Sequence, residues 1–150
     1  MQTDVAVIGG GPAGLAAALA AAEYTDDVVL LERDVELGGI LPQCIHHGFG
    51  NFVFGEMWTG PEYAQYYIDR VAASPIMVLT DTMVLDLSAD RTITAVNPCW
   101  GLFTLAAEAA VLAMGCRERN RGNIGIPGTR PSGVFTAGLA QRLINVDGYI

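Results

Sequence analysis

Apolar residues crowd the first part of the chain in two different patterns. Asp4 to Ile8 is a short β-branched run, whereas Pro12 to Tyr24 is alanine-rich with Leu15 and Leu19 on one helical face. The order is therefore strand, glycine turn, helix. Val28 to Leu31 is apolar throughout, as expected of a strand buried on both faces of a parallel sheet, so residues 4–31 predict one βαβ unit. Residues 38–58 hold five glycines, one proline and four aromatics without a period, and predict a long structured loop of the length that usually carries function. Helical order then resumes sharply. Thr59 is placed as N-cap, Pro61 in the first turn and Glu62 as the return arm of a capping box, with Ala64, Tyr67, Ile68 and Val71 along one face.

Ile76 to Leu79 predicts a further strand. Three more runs, Met83 to Leu87, Arg91 to Val96 and Leu102 to Ala107, are separated by turn residues at 88–90 and 97–101, the pattern of an antiparallel meander. Ala109 to Met114 is apolar and stops at Gly115, which predicts a central parallel strand. Residues 117–132 are polar and rich in glycine and proline, and a last helix is expected near Ala137 to Val146. The fold class is α/β: a Rossmann-type parallel sheet with an inserted three-stranded antiparallel β-meander as a side layer.

Composition adjusts this picture. Of 150 residues, 51% are apolar and only 16% charged, rich for a free-standing domain, so part of this apolar surface is expected to meet something beyond this chain. Sixteen acidic residues against eight basic give a net charge of −8, and the one basic run is Arg117, Arg119 and Arg121, which excludes a broad nucleic-acid footprint. The apolar start is interrupted by Asp4 and broken by glycine and proline at 9–12, so neither a signal peptide nor a membrane span is expected. Cys44, Cys99 and Cys116 are odd in number and widely spaced; this argues against a disulfide framework and for a cytoplasmic setting.

Candidate chemistry concentrates in Val7-Ile8-Gly9-Gly10-Gly11-Pro12-Ala13-Gly14. It fits G-x-G-x-x-G at Gly9, Gly11 and Gly14, follows a strand and opens a helix, and is answered by Glu32 at the end of the next strand. Gly9 permits the tight turn, Gly11 lets a pyrophosphate reach the backbone, and Gly14 lets helix and strand lie close. Free N–H groups of the turn and the helix dipole favour the phosphates, with Gly9, Gly11, Pro12, Ala13 and Gly14 placed at the pyrophosphate. Glu32 accepts from ribose hydroxyls and would repel a 2′-phosphate, which disfavours NADP here; FAD and NAD both remain open on these residues.

Cys44, His46 and His47 allow three readings: half of a redox disulfide, a metal site, or a pocket wall. A closed zinc site needs four ligands and the chain has no other histidine, so no metal is expected. Arg117-Glu118-Arg119 is a solvated run, a hold for a carboxylate or phosphate, or an interface; the propensity of arginine for ion pairs favours the interface. Tyr63, Tyr66 and Tyr67 are expected to serve helix packing, and Cys99 beside Trp100 ordinary packing.

Taken together, Glu32-Arg33 before Leu37-Gly38-Gly39, the inserted meander, Val111-Leu112-Ala113-Met114-Gly115 and Ile126-Pro127-Gly128 resemble the flavoprotein family with two dinucleotide-binding domains that includes the pyridine nucleotide-disulfide oxidoreductases. Ala113-Met114-Gly115 sits where that family has an Ala-Thr-Gly turn, with Met in place of Thr. The runs 38–46, 59–64, 115–119 and 133–138 are similar, more closely, to FAD-dependent oxidoreductases found beside glycerol-3-phosphate dehydrogenases, and more distantly to the flavin subunits of opine and sarcosine oxidases.

This resemblance implies FAD in the first glycine motif, with Arg33 beside Glu32 at the ribose, the backbone near Val84 at the adenine edge, and Gly38, Gly39, Ala113, Met114 and Gly115 along the flavin. It implies hydride transfer between a substrate and a nicotinamide or another acceptor, or else a flavin-bearing electron-transfer subunit working with a dehydrogenase partner or a second copy. It further implies that residues 1–150 are an N-terminal, incomplete FAD-binding domain, inactive alone or a mere dinucleotide-binding module, with NAD(P) and the closing FAD segment on other parts of a longer chain. Disulfide-reducing relatives carry C-x4-C after the Gly-Gly. Here Cys44 stands alone, so the loop is expected to serve flavin and substrate. The resemblance designates no catalytic residue.

Overall fold

A computed structural model describes residues 1–149. β1 (Gln2–Ile8) leads through the glycine turn into α1 (Pro12–Ala21), and β2 (Val28–Leu31) lies parallel to β1 with Val5 opposite Val28 and Ile8 opposite Leu31. A short 3-10 turn (Leu41–Gln43), β3 (His47–Phe49), α2 (Asn51–Phe54) and β4 (Trp58–Thr59) follow. Next come α3 (Gly60–Ala72), β5 (Met77–Leu79), β6 (Met83–Leu87), β7 (Thr92–Asn97), β8 (Gly101–Leu112), α4 (Arg121–Ile124) and α5 (Ala137–Asn145). One sheet runs β5-β2-β1-β8-β7-β6, parallel from β5 to β8 and antiparallel from β8 to β6.

Two expectations change. The third meander strand and the central parallel strand are one element: β8 pairs its first half with β7 (Asn97 opposite Gly101) and its second with β1 (Ile8 opposite Leu112), exchanging partners at Ala106. The expected break falls on Glu108, whose side chain is exposed and faces Arg91 at 4.0 Å, so the charge interrupts the apolar run without interrupting the pleat. The glycine-rich loop, expected without regular elements, contains a 3-10 turn, a β3–β4 pair and a one-turn helix. Aromatic contacts organise it: Phe54 stacks on Trp58 at 4.6 Å and meets Tyr66 of α3 edge-on at 4.8 Å.

The alternation of a strand buried on both faces sorts the core into two layers. Ala6, Ile8, Val29 and Leu31 point to one face and are covered by Ile93, Ala95, Leu105 and Ala107 of the meander, the expected side layer. Val7, Val28 and Leu30 point to the other and meet Leu15 and Ala18 of α1 and Val71 of α3. At ~25 cal/mol per Å² of apolar surface, each fully buried leucine such as Leu15, Leu30 or Leu105 contributes roughly 1.5–3 kcal/mol. The expected apolar excess is visible as exposure: Ile40, Phe52, Leu112, Met114 and Ile124 all face solvent. Cys99 is exposed rather than packed, and Trp100 beside it meets Phe103 edge-on at 5.2 Å.

α3 starts as predicted. Thr59 Oγ1 accepts from the Glu62 amide, and the Glu62 carboxylate accepts from the Thr59 amide at 2.7 Å. The backbone and hydroxyl bonds from Thr59 hold the Glu62 carboxyl below the usual glutamate range. α5 is amphipathic and docks by polar anchors: Gln43 Nε2 donates to Gln141 Oε1 (2.8 Å), Asn145 Nδ2 donates to the Gln43 carbonyl (2.8 Å), and Arg142 lies 3.3 Å from Asp34. Its first turn is capped from outside by Glu118, which accepts from the Thr136 hydroxyl, the Gly138 amide (2.9 Å) and the Leu139 amide (3.1 Å).

Replacing Thr59 with Ala removes a side-chain acceptor from α3 and should cost about 1 kcal/mol in urea unfolding; an unchanged midpoint would contradict the cap. The Thr136 hydroxyl, then the Gly138 and Leu139 amides, hold the Glu118 carboxyl below the usual glutamate range. With its folded-state value depressed, the cap is fully present above that range and is lost as pH falls through the depressed value. Amide shifts of Thr136 to Leu139, followed by NMR during acidification, should show this transition in the parent protein and lose it in Glu118→Gln.

Candidate cofactor site

The carboxyl ends of the parallel strands are stapled together by backbone bonds. Gly9 N–H donates to Leu31 O (2.8 Å), Ala113 N–H to Ile8 O (2.8 Å), and Glu32 N–H to Leu79 O (2.9 Å). In an open α/β sheet this is the edge where ligands collect, and the glycine turn lies on it.

Each glycine answers to a different neighbour. Gly9 has φ +107°, and a Cβ there would lie 2.5 Å from the Ala113 carbonyl. A Cβ on Gly14 would fall 1.7 Å from the Gly9 carbonyl, so only hydrogen lets α1 sit this close to β1. Gly11 differs. It has extended backbone (φ −76°, ψ −174°) and a Cβ would meet nothing nearer than Gly39 Cα at 3.8 Å. The first intrahelical bond of α1 runs from Leu15 N–H to Gly11 O, so the amides of Gly11, Ala13 and Gly14 have no intramolecular acceptor among the described residues. They surround an open cradle at the positive end of a ten-residue helix beginning with Pro12.

Glu32 closes one side of the cradle. It is 7% exposed, with Oε2 accepting from Gly10 N–H at 2.6 Å and Oε1 from Asp34 N–H at 2.8 Å. Each oxygen retains a second lone pair for a hydroxyl. The loop after β2 closes the other side, since Gly38 N–H donates to Gly10 O (2.8 Å) and a Cβ on Gly39 would reach Gly11 Cα at 2.8 Å. Ala113 packs beneath the turn, and Met114 and Gly115 (φ +65°) continue past it exposed. Val84 lies two residues beyond Thr82, whose amide donates to the Glu32 carbonyl (2.9 Å), while the Val84 side chain packs into the meander layer. Arg33 is exposed and stands apart from Glu32's contacts. The glycines, Glu32, Gly38, Gly39 and Ala113 are therefore gathered at one edge. An open backbone cradle beside an acceptor carboxylate fits a dinucleotide's pyrophosphate and ribose.

The Cys44 neighbourhood is held by local backbone contacts. Cys44 is half-buried, its thiol donates to the Ile40 carbonyl at 3.4 Å, and its own carbonyl accepts from Gly60 N–H at 2.9 Å. Cys99 and Cys116 are free and exposed. Both histidines are exposed, His46 against Phe49, and among the described residues no three His, Cys, Asp or Glu side chains group to hold a metal ion. Three structural residues gave no signal in the sequence pattern. Gln43 is a buried amide bridging the loop to α5, Gly60 is a glycine whose Cβ would lie 2.4 Å from Leu41 O, and Gly10 is one whose Cβ would strike Leu37 at 2.5 Å. A polar residue at the end of a glycine-rich loop looks solvated until the helix it meets is in place.

Comparison with known proteins agrees with this geometry. An opine oxidase subunit of Agrobacterium tumefaciens (strain Ach5) is 28% identical over 152 residues, covering 97% of this chain and 29% of the relative. The corresponding opine oxidase subunit of Rhizobium meliloti is 30% identical over 155 residues, covering 97% and 28%. The crystal structure of L-proline dehydrogenase from P. horikoshii superposes with a TM-score of 0.71 at 25% identity, covering 99% of this chain and 29% of that one. The chain thus spans less than a third of the length of the curated relatives it matches over nearly its whole length. Residues 3–146 match the model of the pyridine nucleotide-disulphide oxidoreductases, and with the glycine cradle and its carboxylate at the sheet edge, the chain belongs to that family of FAD-dependent oxidoreductases.

Proposed function

We propose that this chain holds FAD for an oxidoreductase that passes reducing equivalents between a substrate and a nicotinamide or another acceptor. The observation that carries the reading is the gap over Gly11, clear of side chains and lined by unpaired amides at the start of α1. Gly11, Ala13 and Gly14 would hold the pyrophosphate through their amides, with Gly9 and Pro12 shaping the turn. Glu32 would accept from the ribose, with Arg33 beside it and the Val84 backbone at the adenine. Gly38, Gly39, Ala113, Met114 and Gly115 would line the flavin. Bound there, FAD supplies an acceptor and donor of hydride, and the protein supplies position and polarity.

The whole protein's reaction is part of the same proposal. β8 bonds to Arg91 through Ala107 on one edge and beyond it pairs with β1 alone, so that other edge from Ala109 to Leu112 is free among the described residues. We place a further strand of a longer chain on that edge, and NAD(P), where used, on a separate domain. The likeness to FAD-dependent oxidoreductases found beside glycerol-3-phosphate dehydrogenases belongs to this reading. A second reading is favoured by two relatives whose names both make them one subunit of an opine oxidase: a flavin-bearing subunit whose substrate is oxidised on a partner chain. Co-purification with a dehydrogenase chain separates it from the first. The free cysteines support a reducing compartment such as the cytoplasm.

Gly11→Ala tests the cradle without touching the fold, because the added methyl meets only ordinary contact with Gly39. Unfolding should change by no more than about 1 kcal/mol, while FAD affinity, read by equilibrium dialysis and flavin absorbance, falls roughly ten- to a hundredfold as amide–phosphate bonds are lost. Undiminished FAD binding, or a colourless full-length protein, would sink the reading. Cys44→Ser keeps a donor for the Ile40 carbonyl and should leave reduction of the flavin by its electron donor intact; abolished reduction would return Cys44 to a redox role.

A further inference from the structure

The Arg117–Thr136 segment carries a feature that the cofactor reading does not use. Four of the chain's eight cationic residues, Arg117, Arg119, Arg121 and Arg130, fall within it, on a protein of net charge −8. Along the sequence, Glu118 stands between two of them as a neutralising charge. In the structure its carboxylate is taken up by Thr136 and the first amides of α5. The ion pairs among the described residues use Arg91 and Arg142, so these four arginines have no carboxylate partner there. An arginine field in which the single acid faces a helix end keeps an unmatched attraction for an anion.

The segment also forms a place to put one. Two adjoining cavities of about 380 and 510 Å³ share Arg121, Val134, Phe135 and Thr136. Arg130, Asn120 and Ser132 line the first, and Arg119, Ile124 and Ile126 the second, which Glu118 also borders with its carboxylate bonded to the start of α5. Arg121 gives one donor to the Gly128 carbonyl, which fixes its guanidinium at the junction and leaves further N–H groups free. Phe135 is 58% exposed and forms part of the apolar wall of both cavities. Volume in the small-ligand range, apolar walls and a few convergent polar donors make a solvent-open cleft that a small ligand can enter. Its chemistry selects an oxyanion attached to an apolar body, since guanidinium groups match carboxylate and phosphate geometry while Phe135, Ile124 and Ile126 offer only contact area.

We propose that this cleft is a second binding site, distinct from the dinucleotide cradle, for a small organic carboxylate or phosphate with an apolar portion. Ligand binding does not pass through FAD. The flavin absorbance of the same sample reports on the cofactor reading separately, so the two fail independently.

The test titrates the full, ¹⁵N-labelled chain with benzoate, phenyl phosphate and, as the uncharged counterpart, benzyl alcohol, while following backbone amides by NMR. Either anion should give saturable shifts at Arg121, Arg130 and Val134 to Thr136, and the tighter of the two tells carboxylate from phosphate. Benzyl alcohol should leave these amides in place. The Arg130 side chain makes no hydrogen bond among the described residues, so Arg130→Gln is expected to keep the parent spectrum elsewhere while weakening the anion about tenfold, the worth of a charge-assisted bond. Non-saturable shifts with both anions, equal shifts with benzyl alcohol, or unchanged affinity in Arg130→Gln would each overturn the proposal.

Discussion

The closeness of two backbones, Gly14 above the Gly9 carbonyl, is the constraint on which the rest of this molecule depends. A single methyl at Gly14 would occupy the position of an oxygen, so α1 would have to lift from the sheet. Lifting it would withdraw Leu15 and Ala18 from Val7, Val28 and Leu30 and open one of the two core layers. It would also move the amides of α1 away from the carboxyl ends of β1, β2 and β8, where Glu32 meets the Gly10 amide and Gly39 lies against Gly11. Packing and binding are thus set by one contact, and a helix held at ordinary distance would serve neither.

Glu32 shows how one side chain can serve both ends. A buried carboxylate needs donors, and this one finds them in the Gly10 and Asp34 amides, so it bridges the glycine turn to the chain leaving β2. The same residue's backbone continues the network outward, accepting from Thr82 and donating to Leu79. The carboxylate that the proposed reading assigns to a ribose is therefore already fixed by the protein's own bonds. Pre-organisation of this kind lowers the ordering cost of binding. It also means that replacing Glu32 disturbs the turn as well as the ligand, which is why Gly11, open on its protein side, separates the two roles more cleanly.

What could be read from residues alone follows the range of the interactions involved. Thr59 and Glu62 form a capping box because both partners lie within one turn, and the glycine turn was legible because each of its residues is required by the adjacent strand and helix. Glu108 misled because a charge inside an apolar run looks like a boundary, while in a strand it only has to face outward. The elements of residues 41–59 were hidden for a different reason. Their order comes from Phe54 and Trp58 packing on Tyr66, contacts with no period along the chain. Gln43 and Glu118 escaped because their partners lie in α5, about a hundred and about twenty residues away. At the candidate site, the turn and Glu32 were legible as neighbours; Gly38 and Gly39 were named only through the family resemblance, and neither their closure on Gly10 and Gly11 nor the stapling of four strand ends was legible.

The position of Glu118 decides the charge of its whole neighbourhood. In an Arg-Glu-Arg run seen along the sequence, the glutamate offsets one of its two neighbouring cations. Once the glutamate is drawn by hydrogen bonds to the Thr136 hydroxyl and the amides of Gly138 and Leu139, its charge serves the helix terminus, and the flanking cations are left to the solvent side. The helix gains a cap because its own N-cap residue, Thr136, makes no side-chain bond to the first turn. A deficiency in local capping is thus linked to a surplus of positive charge in the neighbouring cleft. The two stand or fall together: releasing Glu118 would both loosen α5 and return a carboxylate to the arginines.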